Sequence, residues 1–196
     1  MALFNKRDLI AKADQEIIKK GMFAKASAIL ESASAEFSET KTYDIFLSHS
    51  YSDDKLVLGI KKGIEELGFS IYIDWINDRQ MSRDEVTRET AETLRKRMKQ
   101  CKSLLFAVSN NSSDSKWMPW ELGYFDGIKN KVAILPITET SQSTDSYQGQ
   151  EYLGLYSYIA RNPTQGTGEM TLWVHDSQKV YVNFKSWLEG YKPAAR

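Results

Sequence analysis

Short apolar runs alternate with longer helical stretches through the middle of this chain, and that alternation constrains the fold more than any other feature. Tyr43-Asp44-Ile45-Phe46-Leu47-Ser48 reads as a first strand and Phe69-Ser70-Ile71-Tyr72-Ile73-Asp74-Trp75 as a second. Lys102 to Val108 supplies a third and Lys131 to Ile137 a fourth. After the first strand, Leu56, Val57, Ile60, Ile64 and Leu67 recur at helical spacing; Ser52 is a fitting N-cap, Asp53 and Asp54 complement the macrodipole, and Gly68 ends the helix. A charged helix from about Arg83 to Gln100 follows, with one narrow apolar line through Val86, Thr90, Leu94 and Met98. Arg95, Lys96, Arg97 and Lys99 read as its solvated face. Strands alternating with helices predict an α/β fold with a parallel sheet and helices on both faces.

The two ends differ in texture. Residues 1–40 are rich in Ala, Lys and Glu and lack Pro. Leu9, Ile10, Ala13 and Ile17 mark one helix that Gly21 can stop, and Phe23, Ala26, Ile29, Leu30, Ala33 and Phe37 mark another. The prediction is an N-terminal helical hairpin over 1–40 that covers one face of a main domain at 42–190, with self-association or sensing as the alternative role. Residues 138–150 read as an exposed loop, Tyr152 to Ile159 as a short helix, Met170 to Val174 as a last strand, and Val180, Phe184, Trp187 and Leu188 as one face of a closing helix.

Composition narrows the chemistry. Among 196 residues, acids and bases balance at 26 each, so no global field draws nucleic acid or an anionic membrane. A single Cys101 excludes an internal disulfide, and with only two His there is no Cys/His set spaced for zinc or another metal. No apolar run is long enough to span a bilayer and no secretory leader is visible, which predicts a soluble, cytoplasmic protein.

In open α/β sheets, ligands bind beyond the carboxyl ends of the strands. Here those ends deliver Ser48 to Ser52, Trp75 to Met81 and Ser109 to Trp117. The third of these loops feeds a helix on which Trp117, Met118, Trp120, Leu122, Tyr124, Phe125 and Ile128 form one wide apolar arc, with Glu121 near its middle. Pro119 is tolerated only in a first helical turn, so the helix starts near Trp117 or later. A carboxylate aimed into an apolar layer is disfavoured unless it protonates, finds donors or faces a cleft; the last case makes a site. A salt bridge to a nearby Lys or Arg is the competing structural explanation.

Three motifs in order, Tyr-Asp-Ile-Phe-Leu-Ser-His-Ser from Tyr43, the loop after Ile73-Asp74-Trp75, and Ser-x-Trp-x-x-x-Glu-Leu from Ser115, resemble a TIR (Toll/interleukin-1 receptor) domain. The likeness is to the bacterial NAD-cleaving, anti-phage (Thoeris-like) type and covers roughly residues 42–190. It implies a flavodoxin-like parallel sheet of about five strands. It also implies cleavage of NAD between nicotinamide and ribose, with Glu121 as the catalytic carboxylate and Trp117 as its companion.

NAD would be a substrate, with no cofactor. One carboxylate suffices, because nicotinamide leaves as a neutral group and needs no general acid, unlike an ordinary sugar leaving group. Ser48, Tyr51, Trp75, Trp117 and Tyr124 are the candidate substrate contacts: the aromatics could stack on nicotinamide or adenine, and Ser48 could bond a phosphate or ribose hydroxyl. The resemblance further implies a homo-oligomer through TIR surfaces and a separate effector protein that senses the nucleotide product. Two other readings stay open: a TIR interaction scaffold without turnover, and a related nucleoside N-glycosidase or deoxyribosyltransferase.

Overall fold

Strands β2 (Tyr43–Ser48), β3 (Ile71–Ile73), β4 (Cys101–Val108), β5 (Val132–Thr138) and β6 (Tyr158–Pro163) form the parallel centre of the sheet. The structure is a computed structural model that describes residues 2–21, 24–34, 40–49, 53–73, 87–108, 117–139, 147–149 and 151–195. Across the sheet the order is β3-β2-β4-β5-β6, continued by β7 (Met170–Ser177), β8 (Val180–Asn183) and β9 (Ala194–Ala195) in antiparallel pairing. Numbered from β2, the five parallel strands run 2-1-3-4-5, the flavodoxin-like order, with its topological switch between β2 and β4.

Period-two alternation sends successive residues of each central strand to opposite faces, and both faces are buried, which is why these strands read as unbroken apolar runs. Ile45, Leu47, Leu105, Ala107, Ala133 and Leu135 pack with helices α1 (Lys6–Lys20), α2 (Ala26–Ser34) and α3 (Asp54–Glu65). Phe46, Leu104, Phe106, Val132 and Ile134 face the other layer, built on α4 (Arg88–Gln100) and α5 (Trp117–Lys129).

The predicted N-terminal helices are present, preceded by a strand that the sequence reading lacked. β1 (Phe4–Asn5) runs parallel to Ile137 and Thr138 of β5, and Ala2 bridges antiparallel to Arg161. Leu3 and Phe4 then enter opposite cores. Asn5 caps α1 by accepting from the Arg7 and Asp8 amides, and Gly21, at φ 120°, closes it. Helix α1 lies on α3 through backbone-close packing at Gly59, with Lys55–Asp14 and Lys62–Glu16 ion pairs at 2.8 and 3.5 Å along the rim.

Several expectations change. The sheet has nine strands among the described residues, not about five, because the C-terminal region adds three antiparallel strands and β1 pairs with β5. The short helix expected over Tyr152–Ile159 is a 3-10 turn at Glu151–Leu155 followed by β6. There, buried Ile159 and Ala160 point to opposite faces and six residues pair with β7, a gain that a helix would forfeit. The closing helix shortens to α6 (Phe184–Leu188), since Val180–Asn183 hairpins against β7 and Asn183 caps what remains. On α4, Arg97 is buried rather than solvated, its Nη1 donating to Gln100 Oε1 at 3.2 Å. Phe23, Phe37, Val86 and most of the 138–150 loop lie outside the described residues.

A polar pin holds the amino-terminal end of β2. Asp44 Oδ2 accepts from the Ser70 amide and hydroxyl at 2.9 and 2.8 Å, and Oδ1 accepts from Lys102 Nζ at 2.8 Å. Burial pushes the carboxyl's pKa up, but Lys102 and Ser70 together outweigh it and hold the group below the ordinary carboxylate range.

Two outcomes follow from this packing. A Cβ at Gly59 would collide with the Leu9 carbonyl, whereas one at Gly123 on α5 meets nothing within 4 Å. Gly59→Ala is therefore expected to lower the urea-unfolding free energy by about 2 kcal/mol, and Gly123→Ala to raise it by about 0.5–1 kcal/mol. Shifts of the same sign would contradict the α1–α3 contact. Asp44→Asn is expected to cost about 1 kcal/mol near neutral pH, after allowance for solvent screening. Because the folded pKa is depressed, that contribution is present above the unfolded value near 4 and fades as pH falls below it. Denaturation of both proteins at pH 7 and pH 3 reads it: an undiminished difference at pH 3 would overturn the assignment.

Candidate active site

The apolar run of β2 stops at Ser48. Alternation puts Ser48 on the same face as Phe46, the face covered by α5, and its strand position is beside Phe106 of β4. The topological switch thus falls at this residue. Helix α5 begins at Trp117, with Pro119 in its first turn as predicted, and seats Trp117, Met118, Leu122 and Phe125 in the same layer. Glu121 shares their arc and is fully buried, as is Ser48.

Seventy-three residues apart in sequence, the two meet: Ser48 Oγ donates to Glu121 Oε2 at 2.6 Å. A carboxyl group taken out of water is disfavoured, and the Ser48 hydroxyl supplies one hydrogen bond that offsets part of the loss. The arrangement is a carboxylate held in a dry layer at the carboxyl end of the sheet, where an electron-poor centre would feel it strongly.

Of the other predicted contacts, Trp117 is buried and meets Trp120 edge to face at 5.5 Å. Tyr124 stacks on Trp120 at 5.7 Å, and the Arg95 guanidinium of α4 lies over both rings, 5.3 Å from Trp120 and 5.8 Å from Tyr124. The structure therefore brings Ser48 and Glu121 together, keeps Trp117 at the same helix start, and engages Tyr124 in a stack toward α4. Tyr51 and Trp75 lie outside the described residues. The reading from sequence missed the Ser48–Glu121 contact, offering Ser48 to a ligand or to the backbone of the turn. Its one available signal was the shared parity of Phe46 and Ser48. It also missed Arg95 as a partner of the aromatic stack.

His49, next to Ser48, is fully buried as well. Cys101 is a buried free thiol whose pKa burial drives far up, so it is no nucleophile. No group of three or more His, Cys, Asp or Glu side chains among the described residues could hold a metal ion. No helix among them is long and apolar enough to cross a membrane.

Comparison with known proteins identifies the family. The sequence model of the family described as TIR domain matches residues 45–165. A protein of Bacillus cereus (strain MSX-D12), named "Probable 3' cyclic ADP-D-ribose synthase ThsB'", is 52% identical over 192 residues, spanning 96% of this chain and 99% of its own length. A Cytobacillus dafuensis protein, provisionally named as a cyclic ADP-D-ribose synthase, is 40% identical over 85 residues, 43% of this chain and 22% of its own length. By the family match and by likeness along nearly its whole length, on a sheet of flavodoxin-like order, this chain belongs to the TIR domain family.

Proposed function

We propose that this protein is an NAD-cleaving enzyme that breaks the bond between nicotinamide and ribose and releases a cyclic ADP-ribose-type nucleotide. The observation that carries the reading is the fully buried Glu121 at the carboxyl end of the sheet, bonded to Ser48. The full-length likeness to a protein named as a 3' cyclic ADP-D-ribose synthase supports the same reaction and favours a cyclic product.

In this mechanism the electron pair of the C1–N bond leaves with nicotinamide, which departs neutral, and the ribose becomes oxocarbenium-like. Glu121 stabilises that cation electrostatically, with a field strengthened by exclusion of water. A hydroxyl of the same molecule then attacks C1 and gives up its proton to solvent, closing the ring; water in its place gives the linear product. Trp117 stands one helical turn before Glu121 and is the first of the proposed base-stacking residues. Tyr51, Trp75 and Tyr124 complete the set of proposed base-stacking residues. In the cell, the enzyme would act in the cytoplasm as a homo-oligomer assembled through TIR surfaces. Its product would be sensed by a separate effector protein in antiviral defence.

Incubation of concentrated protein with NAD, followed by mass analysis, is expected to yield nicotinamide together with an ion of the cyclic nucleotide's mass. Glu121→Gln keeps the shape and removes the charge, and its turnover is expected to fall about 100- to 1,000-fold. Equal rates for the two proteins would dismiss the assignment of Glu121.

A further inference from the structure

Ser48 stands where the sequence pattern suggests a ligand contact, yet its hydroxyl is already engaged. Oγ donates to Glu121 Oε2 at 2.6 Å, and neither side chain is exposed. A short, fully buried hydroxyl–carboxylate bond is strong enough that breaking it to serve a phosphate or ribose would expend much of what the new contact returned. The bond also joins the end of β2 to the first turns of α5, two elements at the topological switch, so it sets where the carboxylate sits relative to the sheet.

From this we propose that Ser48 is a positioning residue for Glu121 rather than a substrate contact: its hydroxyl fixes one carboxylate oxygen and with it the orientation of the group relative to the sheet. The inference rests on Glu121 being the catalytic carboxylate. Serine suits the task because it supplies a directed dipole and no charge. The carboxylate is held in one orientation, and geometric precision of this kind is what a single-carboxylate mechanism depends on.

Four substitutions test this: Ser48→Ala, Ser48→Thr, Ser48→Val and Glu121→Gln. Thr and Val share a shape and differ by the hydroxyl, so comparing them removes packing from the answer even if the Ala variant folds poorly. Thermal unfolding of each reports folding directly. The expected result is that Ser48→Thr stays within about fivefold of the parent in kcat, while Ser48→Ala and Ser48→Val fall about 10- to 100-fold with KM for NAD little changed. NAD affinity, read by calorimetry in the Glu121→Gln background where turnover is slow, is expected to stay within about twofold when Ser48→Val is added.

A rise in KM or Kd with kcat retained would overturn the inference and return Ser48 to the substrate. Equal kcat for Thr and Val, both folded, would overturn it too. Those failures leave the proposed function standing so long as Glu121→Gln remains deficient. Wild-type turnover by Glu121→Gln would instead remove the proposed function, and the positioning role with it.

Discussion

Burial of both faces of β2 and β4 is the constraint from which the rest of the architecture follows. A strand covered on both sides has no lateral position for a polar side chain, so polar chemistry is driven to the strand ends. On β2 the apolar run Ile45, Phe46, Leu47 is fully buried and gives way at Ser48. The parallel order then decides which end matters. The chain leaves β2 for β3 on one side and returns to β4 on the other, which places the topological switch at the carboxyl ends, where open α/β sheets bind ligands. Helix α5, reached from β4, must cover the same face that carries Phe46 and Ser48. An acid in the buried arc of α5 is thereby brought to the end of β2.

How much of this could be read from the chain depended on how local each signal was. β2, β4 and β5 were legible because burial on both faces writes itself as a continuous apolar run, and the α5 arc was legible because Trp117, Met118, Leu122 and Phe125 recur at helical spacing around Glu121. β1 is two residues long and its partners Ile137 and Thr138 lie far along the chain, so nothing near Phe4 announces it. β6 carries Arg161, Asn162 and Pro163 in its second half, and its strand character comes from pairing with β7 rather than from its own pattern. Arg97 looked like one more basic residue in a charged turn; its burial is a tertiary fact. The meeting of Ser48 with Glu121 was equally out of reach, since periodicity placed each residue but could not say that two elements would bring them within 2.6 Å.

The amino-terminal segment has a closer relation to this arrangement than a surface helix would. The family match begins at residue 45, while the likeness to the Bacillus cereus protein extends over 96% of the chain. β1 lines the carboxyl half of β5, and α1 presses its backbone onto Gly59 of α3, the helix that follows β2. Interiors are close-packed and transmit displacement rather than absorb it. A change at α1 would therefore be felt in α3 and in the layer beneath β2, on the sheet face opposite to Glu121.

The choice of serine as Glu121's partner bears on what the carboxylate can do. A lysine or arginine in that place would anchor the group at least as firmly, but two opposite charges a few ångströms apart present only a dipole to anything farther off, and little field would remain to stabilise a cationic sugar. A hydroxyl at 2.6 Å offers orientation and partial compensation for lost water without adding a charge of its own. In the proposed reaction that desolvation cost would be relieved as positive charge develops on the ribose, which is the condition for binding a transition state more tightly than a substrate. A buried acid that packing alone would disfavour becomes, on that account, the part of the structure whose cost has a catalytic return.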